Sequence, residues 1–187
     1  MQAEISYSFV QMFYLDKATS IILFHKAIGN PCYIIPGADL STPEKLNQLI
    51  KLVNYAQPIL AKEGISLAYH NHSFEYDLMP NGVSAFAMLE KNTRIDFELD
   101  TYWIYNAGLD PLEEMKRLRH RVSAIHIKDG FMGGEGVPLG RGTAPVKEVY
   151  YLAKELGYRI IVESETLTPD GLSEAKECIS YLNSLEI

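Results

Sequence analysis

Cysteine is scarce in this 187-residue chain. Its only two cysteines, Cys32 and Cys178, lie far apart in the sequence. Two distant cysteines provide no disulfide framework of the kind that holds small secreted domains together. We therefore expect the protein to work in a reducing compartment, the cytoplasm.

Long apolar runs are lacking as well. No stretch approaches the roughly 20 apolar residues that a membrane-spanning helix needs, so we expect no membrane partner. The first residues, Met1 to Leu15, are aromatic and apolar. They carry neither a basic leader nor a small-residue cleavage site, so they do not resemble a signal peptide.

Positive charge is in the minority. The chain has 17 Lys and Arg against 24 Asp and Glu, which gives a formal net charge of -7. A protein that binds a phosphate backbone needs a basic stripe, whereas the basic residues here are scattered. The densest basic group, Lys116 to Arg121, has the pattern of a solvated helix end. We therefore predict no nucleic-acid partner.

Short β-rich runs alternate with helical patterns along the whole chain, which we expect to form one domain over residues 1–187. This alternation is typical of βα units with a parallel sheet. The predicted strands are 32–35, 65–72, 94–100, 122–128 and 159–163. The predicted helices are 18–27, a segment from the capping box at 41–44 to Gly64, 83–91, 111–119, 145–156 and 171–185.

These elements make five βα units. A closed (β/α) barrel of the TIM type needs eight units and about 250 residues. The sequence therefore predicts an α/β fold with an incomplete parallel barrel of this type.

Four of the strand ends carry a side chain that can bind a metal ion: Glu75, Asp100, His126 and Glu163. In parallel α/β folds the carboxyl ends of the strands meet at one face, where active sites lie. Three carboxylates and one imidazole suit Mn²⁺, Mg²⁺, Co²⁺ or Zn²⁺. The sequence therefore predicts a divalent-metal site.

Each of these residues also has a structural interpretation. A carboxylate at a strand end is often a helix cap, and Asp100 is the best candidate because Thr101 and Tyr102 follow it. A single His in an apolar strand is often a hydrogen-bonded core residue. Several carboxylates close together nevertheless repel one another unless a cation or a proton intervenes.

Five short runs carry a resemblance to a known family. They resemble the sugar phosphate isomerase/epimerase family, whose members have the xylose-isomerase-like TIM barrel and include ketose 3-epimerases and inosose dehydratases. The resemblance covers about residues 20–187. The runs are Tyr69-His70-Asn71-His72-Ser73-Phe74-Glu75, Leu99-Asp100-Thr101-Tyr102-Trp103, His126-Ile127-Lys128-Asp129, Leu139-Gly140-Arg141-Gly142 and Val162-Glu163.

The resemblance implies roles for the four strand-end residues. Glu75, Asp100, His126 and Glu163 would be the metal ligands on barrel strands five to eight, so the first three βα units of the family barrel would be absent. Glu75 and Glu163 would also be the catalytic acid/base pair. One would remove a proton next to a carbonyl and the other would return it, while the metal stabilises the enediolate.

Other polar residues are candidate substrate contacts. His70 and His72 lie two apart on a strand and therefore share a face; they would bind sugar hydroxyls or form a polar layer inside the barrel. Lys128 would contact a substrate oxygen or pair with Asp129. Arg141 would bind a phosphate or hydroxyl group, unless it is an exposed loop charge.

Two further features concern the edge of the expected pocket. Trp103 is a candidate substrate contact, although the ketose 3-epimerases have a substrate-binding His a few residues after the Asp. The glycine-rich segment 133–136 fits no nucleotide-binding pattern and is predicted to be a flexible lid.

An incomplete barrel leaves the strands at 32–35 and 159–163 with unpaired edges. We therefore expect a homo-oligomer through these edges, or else a fragment of low stability.

The sequence thus predicts a metal-dependent isomerase or epimerase acting on a small carbohydrate: a ketose, a keto-glycoside or a cyclitol. A dehydratase at the same site and a truncated, non-catalytic sugar-binding relative are the alternatives. An endonuclease for abasic DNA on the same barrel is disfavoured, because the charge is acidic and the ligand set has a single His.

Overall fold

The computed structural model describes residues 18–186. They form two compact units, one ending at Phe97 and the other starting at Glu98, and each is described by itself. The assignment of residues 1–187 to a single domain stays a prediction. Within the described range, none of the helices combines the length and the apolar character that crossing a membrane requires.

The first unit alternates helices with parallel strands. Strands β1 and β2 pair in parallel, with Ile34 opposite Ala68. In chain order the elements are α1 (Ala18–Ala27), β1 (Cys32–Ile35), α2 (Pro43–Lys62), β2 (Ser66–His70), a 3₁₀ turn (Phe74–Tyr76), α3 (Ala85–Asn92) and the first residues of β3 (Asp96–Asp100).

Helix α2 shows how the sequence specifies its elements. The Thr42 hydroxyl caps the helix by accepting the Lys45 backbone N–H, and Pro43 occupies the first turn, where its missing N–H costs nothing. Its apolar side chains recur at helical spacing, so one face of the helix is buried. That face carries Leu46, Leu49, Ile50, Val53, Ala56 and Leu60.

The second unit has the same alternation of strands and helices. Strand β4 pairs in parallel with β7, with His126 opposite Ile161. The elements are the end of β3, α4 (Thr101–Asn106), α5 (Pro111–Arg117), β4 (Val122–Ile127), β5 (Asp129–Gly130), β6 (Gly136–Val137), α6 (Val146–Leu156), β7 (Ile160–Val162) and α7 (Gly171–Ser184). The predicted α/β class is confirmed.

Two elements of the second unit differ from the sequence prediction. Helix α4 begins directly after β3, although its sequence is rich in aromatic and β-branched residues that favour strands. Residues 129–137, where no hairpin was predicted, form a short antiparallel one, in which Asp129 pairs with Val137 and Gly130 with Gly136.

Candidate metal centre

Asp100 is the last residue of β3, and its side chain is fully buried. Its Oδ1 accepts the backbone N–H of Trp103 at 2.9 Å and so caps α4. The helix-cap interpretation of Asp100 is therefore correct. The cap uses Oδ1 of the Asp100 carboxylate. A carboxylate has a second oxygen, and such an oxygen can bind a cation.

Three of the predicted ligands come together in the second unit. Asp100 ends β3, His126 lies on β4, and Glu163 directly follows β7. Each offers one ligand atom, and these atoms lie within 4.8 Å of one another. Two carboxylates and one imidazole form a donor set that suits a divalent ion. Their role as metal ligands stays a prediction.

The His126 imidazole lies between two carboxylates. Its Nδ1 is 3.3 Å from Oε2 of Glu163, and its Nε2 is 3.2 Å from Oε1 of Glu98. Burial alone would lower the pKa of His126, but the two carboxylates outweigh it and raise the pKa to about 10. The imidazole is therefore protonated at neutral pH.

Glu98 was not among the residues that the sequence singled out. Its side chain is buried and contacts His126 at the nitrogen opposite Glu163. A signal was present, because Glu98 and Asp100 are two residues apart on one strand and therefore share a face.

Asp100 and Glu163 have pKa values that move in opposite directions. Burial and the neighbouring Glu163 raise the pKa of Asp100 well above its usual range. Burial opposes the shift of Glu163, but His126, Asp100 and the charge of Lys128 together hold its pKa well below the usual range. The raised pKa values of Asp100 and His126 favour their protonated forms, and protonation offsets clustered negative charge as a metal cation would.

Lys128 brings a buried positive charge to the same cluster. Its Nζ lies 2.7 Å from Oε1 of Glu165 and 3.8 Å from Oε2 of Glu163. The same ammonium group lies 4.4 Å from the centre of the Trp103 ring, within the range of a cation–π contact. Glu165 is a partner of Lys128 that the sequence analysis did not name. Contacts of Lys128 and Trp103 with substrate stay predictions.

Asp129, the residue after Lys128, holds the segment that follows it. Its buried carboxylate accepts four backbone N–H groups, from Gly130, Gly140, Gly142 and Ala144. A Cβ at Gly142 would lie 2.2 Å from Oδ1 of Asp129, so only glycine allows this approach. Asp129 thus fixes residue 130 and the loop at 140–144. The flexible lid predicted at 133–136 lies between these points and stays a prediction.

Arg141 lies in this loop and forms an ion pair with Glu177 on α7. Its Nε and Nη2 each contact one carboxylate oxygen, with Nη2 at 2.9 Å from Oε2. The Arg141 side chain is 64% exposed, which agrees with the interpretation as an exposed loop charge. A substrate contact for Arg141 stays a prediction.

Glu75 lies in the first unit and is fully buried. Its Oε1 accepts the Tyr69 hydroxyl at 2.7 Å, and its Oε2 accepts the His72 backbone N–H at 2.7 Å. Burial and the adjacent Glu75 carboxylate raise the pKa of Tyr69 well above its usual range. Tyr69 lies in one of the runs that resemble the family, but the sequence analysis gave it no role. The proposed catalytic and metal-binding roles of Glu75 stay predictions.

His70 and His72 lie beside Glu75 in the same unit. Their rings are 4.9 Å apart in an edge-to-face arrangement, and the His72 ring also stacks on Phe74 at 5.6 Å. Neither of their two predicted roles, binding hydroxyls or forming a polar layer, is decided by these contacts.

Comparison with known proteins gives one family match. The family model for the xylose isomerase-like TIM barrel matches residues 11–185. No curated protein matches the chain.

Solved structures of similar fold include a sugar phosphate isomerase/epimerase from Parabacteroides distasonis, with 23% identity and a TM-score of 0.74 over 97% of this chain and 66% of that one. A D-allulose 3-epimerase from Methylomonas sp. has 15% identity and a TM-score of 0.67 over 91% of this chain and 68% of that one. The probable 3-DHS dehydratase AsbF from Bacillus anthracis has 13% identity and a TM-score of 0.64, over 80% and 63%. At these identities the likeness shows a common fold. The chain spans less than two thirds of the first of these structures.

Proposed function

Since the chain belongs to the xylose isomerase-like TIM barrel family, we propose that it is a divalent-metal-dependent isomerase or epimerase of a small carbohydrate. It would move a proton at a carbon next to a carbonyl group. Family membership also confirms the predicted fold class, an α/β barrel of the TIM type that is incomplete in this chain.

One observation supports the proposal more than any other: Asp100, His126 and Glu163 offer ligand atoms within 4.8 Å of one another. The residues fit a divalent ion, because oxygen and imidazole nitrogen donors are those that Mn²⁺, Co²⁺, Zn²⁺ and Mg²⁺ accept. An ion held there would polarise the substrate carbonyl and make the neighbouring C–H group more acidic.

The chain's own residues would carry the proton. Glu163 is ionised at neutral pH because its pKa is lowered, and we propose it as one proton-transfer group. Removal of the proton would depend on the bound ion making the C–H group more acidic, because a low pKa makes a carboxylate a weak base. We propose Glu75, whose carboxylate is held by the Tyr69 hydroxyl and the His72 N–H, as the second proton-transfer group. The buried Lys128 ammonium, 3.8 Å from Glu163, would stabilise negative charge that develops on the substrate oxygen.

The likeness to the dehydratase favours a second candidate reaction. Removal of the same proton, followed by loss of a neighbouring hydroxyl group as water, would make this chain a dehydratase. A truncated, non-catalytic sugar-binding protein is the alternative from a different class. We also propose that the substrate is a small carbohydrate and that the chain forms a homo-oligomer through its exposed strand edges.

Calorimetric titration with Mn²⁺, Co²⁺ and Zn²⁺ tests the metal site. We expect one ion to bind, and the substitution Glu163→Gln to weaken binding by at least about tenfold, because it removes a charged ligand. Glu155→Gln is the matched control, since Glu155 is an exposed carboxylate on α6. Equal affinities for the parent chain and Glu163→Gln would sink the proposal.

The reaction itself is tested by incubating the metal-loaded protein in D₂O with a panel of ketoses, keto-glycosides and cyclitols. An isomerase or epimerase would exchange the C–H proton for deuterium, and NMR would show that the sugar keeps all of its hydroxyl groups. A dehydratase would instead produce a conjugated carbonyl with new ultraviolet absorbance. No exchange and no absorbance with any member of the panel would favour the non-catalytic alternative.

A further inference from the structure

A cavity of about 850 Å³ opens in the first unit, between the loop after β1 and the segment after the 3₁₀ turn. Its volume lies within the range of small-molecule binding sites. Part of its wall is apolar and includes Leu40, Phe74, Leu78, Met79 and Pro80. Leu78 is 74% exposed, so this wall is accessible to a ligand.

The polar part of the wall is acidic. Asp39, Glu44 and Asp77 line the cavity, and in the described part of the chain no Lys, Arg or His does. Lys45 pairs with Asp39 at 2.6 Å but lies outside the lining. A phosphate group would therefore meet the carboxylates of Glu44 and Asp77, while Lys45, the cation beside the lining, already pairs with Asp39, which disfavours phosphate binding.

The N-terminus of α2 also borders this cavity and by itself would attract an anion. Two residues at this helix end weaken that attraction. Glu44 places a negative charge in the first turn of the helix, and the Thr42 hydroxyl accepts the Lys45 backbone N–H. The electrostatics of the cavity therefore favour a neutral, hydroxyl-bearing ligand, whose O–H groups can donate to carboxylates.

The cavity adjoins the residues that hold Glu75. Phe74 lines the cavity, precedes Glu75 in the 3₁₀ turn, and stacks on His72, whose backbone N–H binds Glu75. Ala38, another residue of the lining, lies beside the Tyr69 hydroxyl, which donates to Glu75. The cavity and the Glu75 carboxylate thus share supporting residues.

We propose that this cavity is a subsite for the second sugar ring of an unphosphorylated glycoside. The carboxylates of Asp77 and Glu44 accept hydroxyl hydrogens, and the apolar face of the ring packs on Phe74 and Leu78. This inference rests on the proposed function, because it assigns the substrate to the keto-glycosides among the three classes considered. It also predicts that this cavity does not favour a phosphate group.

NMR titration of the ¹⁵N-labelled chain without metal tests the subsite with cellobiose, glucose and glucose 6-phosphate. We expect cellobiose to bind at least about tenfold more tightly than glucose, with shift changes at residues 39–44 and 77–80. Glucose 6-phosphate is expected to bind no more tightly than glucose. Asp77→Asn and Leu78→Ala, both at exposed positions, should each reduce the preference for cellobiose by at least about threefold, whereas the control Glu155→Gln should keep it.

Tighter binding of glucose 6-phosphate than of cellobiose would overturn the inference, and so would an unchanged preference in both cavity variants. Neither result touches metal binding by Asp100, His126 and Glu163, which is measured separately. Conversely, a chain that binds cellobiose through Asp77 but binds no metal would keep the subsite and refute the proposed enzymatic function.

Discussion

Nδ1 of His126 lies 3.3 Å from Oε2 of Glu163. Both atoms are candidate metal ligands, and without a cation they share a proton, because the pKa of His126 is raised and that of Glu163 is lowered. Metal binding must therefore compete with protonation.

The first prediction is that metal binding releases protons. A metal coordinates the neutral imidazole, whereas His126, with its pKa near 10, carries a proton at pH 7. We expect release of at least about one proton per ion, and an affinity that rises by up to about tenfold per pH unit between about pH 6 and 8. Calorimetry in two buffers with different protonation enthalpies measures the release. Binding heats that do not depend on the buffer would contradict it.

The second prediction concerns the stability of the metal-free protein. The folded-state pKa of His126 is raised above its ordinary value of 6.5, so its contribution to stability is fully present below that pH. The contribution is lost as the pH rises through about 10. We expect the melting temperature to fall over this range, and to fall less in His126→Gln. An identical pH profile in both proteins would show that this proton does not stabilise the fold.

The third prediction uses the single tryptophan of the chain. The Lys128 ammonium lies over the Trp103 ring and pairs with Glu165. Lys128→Met should change the fluorescence emission of Trp103 and destabilise the fold by about 2 kcal/mol, because Glu163 loses a neighbouring cation. In the control Lys154→Met, which removes an exposed ion pair with Glu186, emission should stay the same. Unchanged emission in Lys128→Met would argue against the contact.

The fourth prediction concerns Asp129. An amide has a single acceptor oxygen, so Asp129→Asn would leave about half of the four bound N–H groups without an acceptor. We expect a loss of about 2–4 kcal/mol in the free energy of unfolding, and faster hydrogen exchange at Gly140 and Gly142. Glu135→Gln changes an exposed carboxylate in the same loop and should have little effect. Equal exchange rates in the two variants would refute the role of Asp129.

Much of the fold follows from local sequence patterns. The bounds predicted for α1 and β1 match the structure, and the other four predicted strands contain β2, β3, β4 and β7. The short strands β5 and β6 were not predicted. Helix α4 was missed because the run from Thr101 to Asn106 lacks an amphipathic period, so the Asp100 cap was its only signal.

Fewer contacts of the candidate site could be predicted from the sequence. Its strand-end residues repeat once per βα unit, and this repetition indicated Asp100, His126 and Glu163. The pairs Lys128–Glu165 and Arg141–Glu177 join positions far apart in the chain. Such pairings depend on how loops and helices pack, and no local pattern encodes them.

The two hydrogen bonds that orient the Glu75 carboxylate have a consequence for which substitutions this protein can accept. Both donors to its carboxylate, Tyr69 and His72, lie within six positions of it, on the end of β2 and the turn that follows. One heptapeptide, 69–75, therefore contains the carboxylate and the groups that orient it. If the neighbouring cavity binds the second sugar ring as proposed, substitutions at residues 77–80 of its wall would change ligand preference while this heptapeptide keeps its sequence.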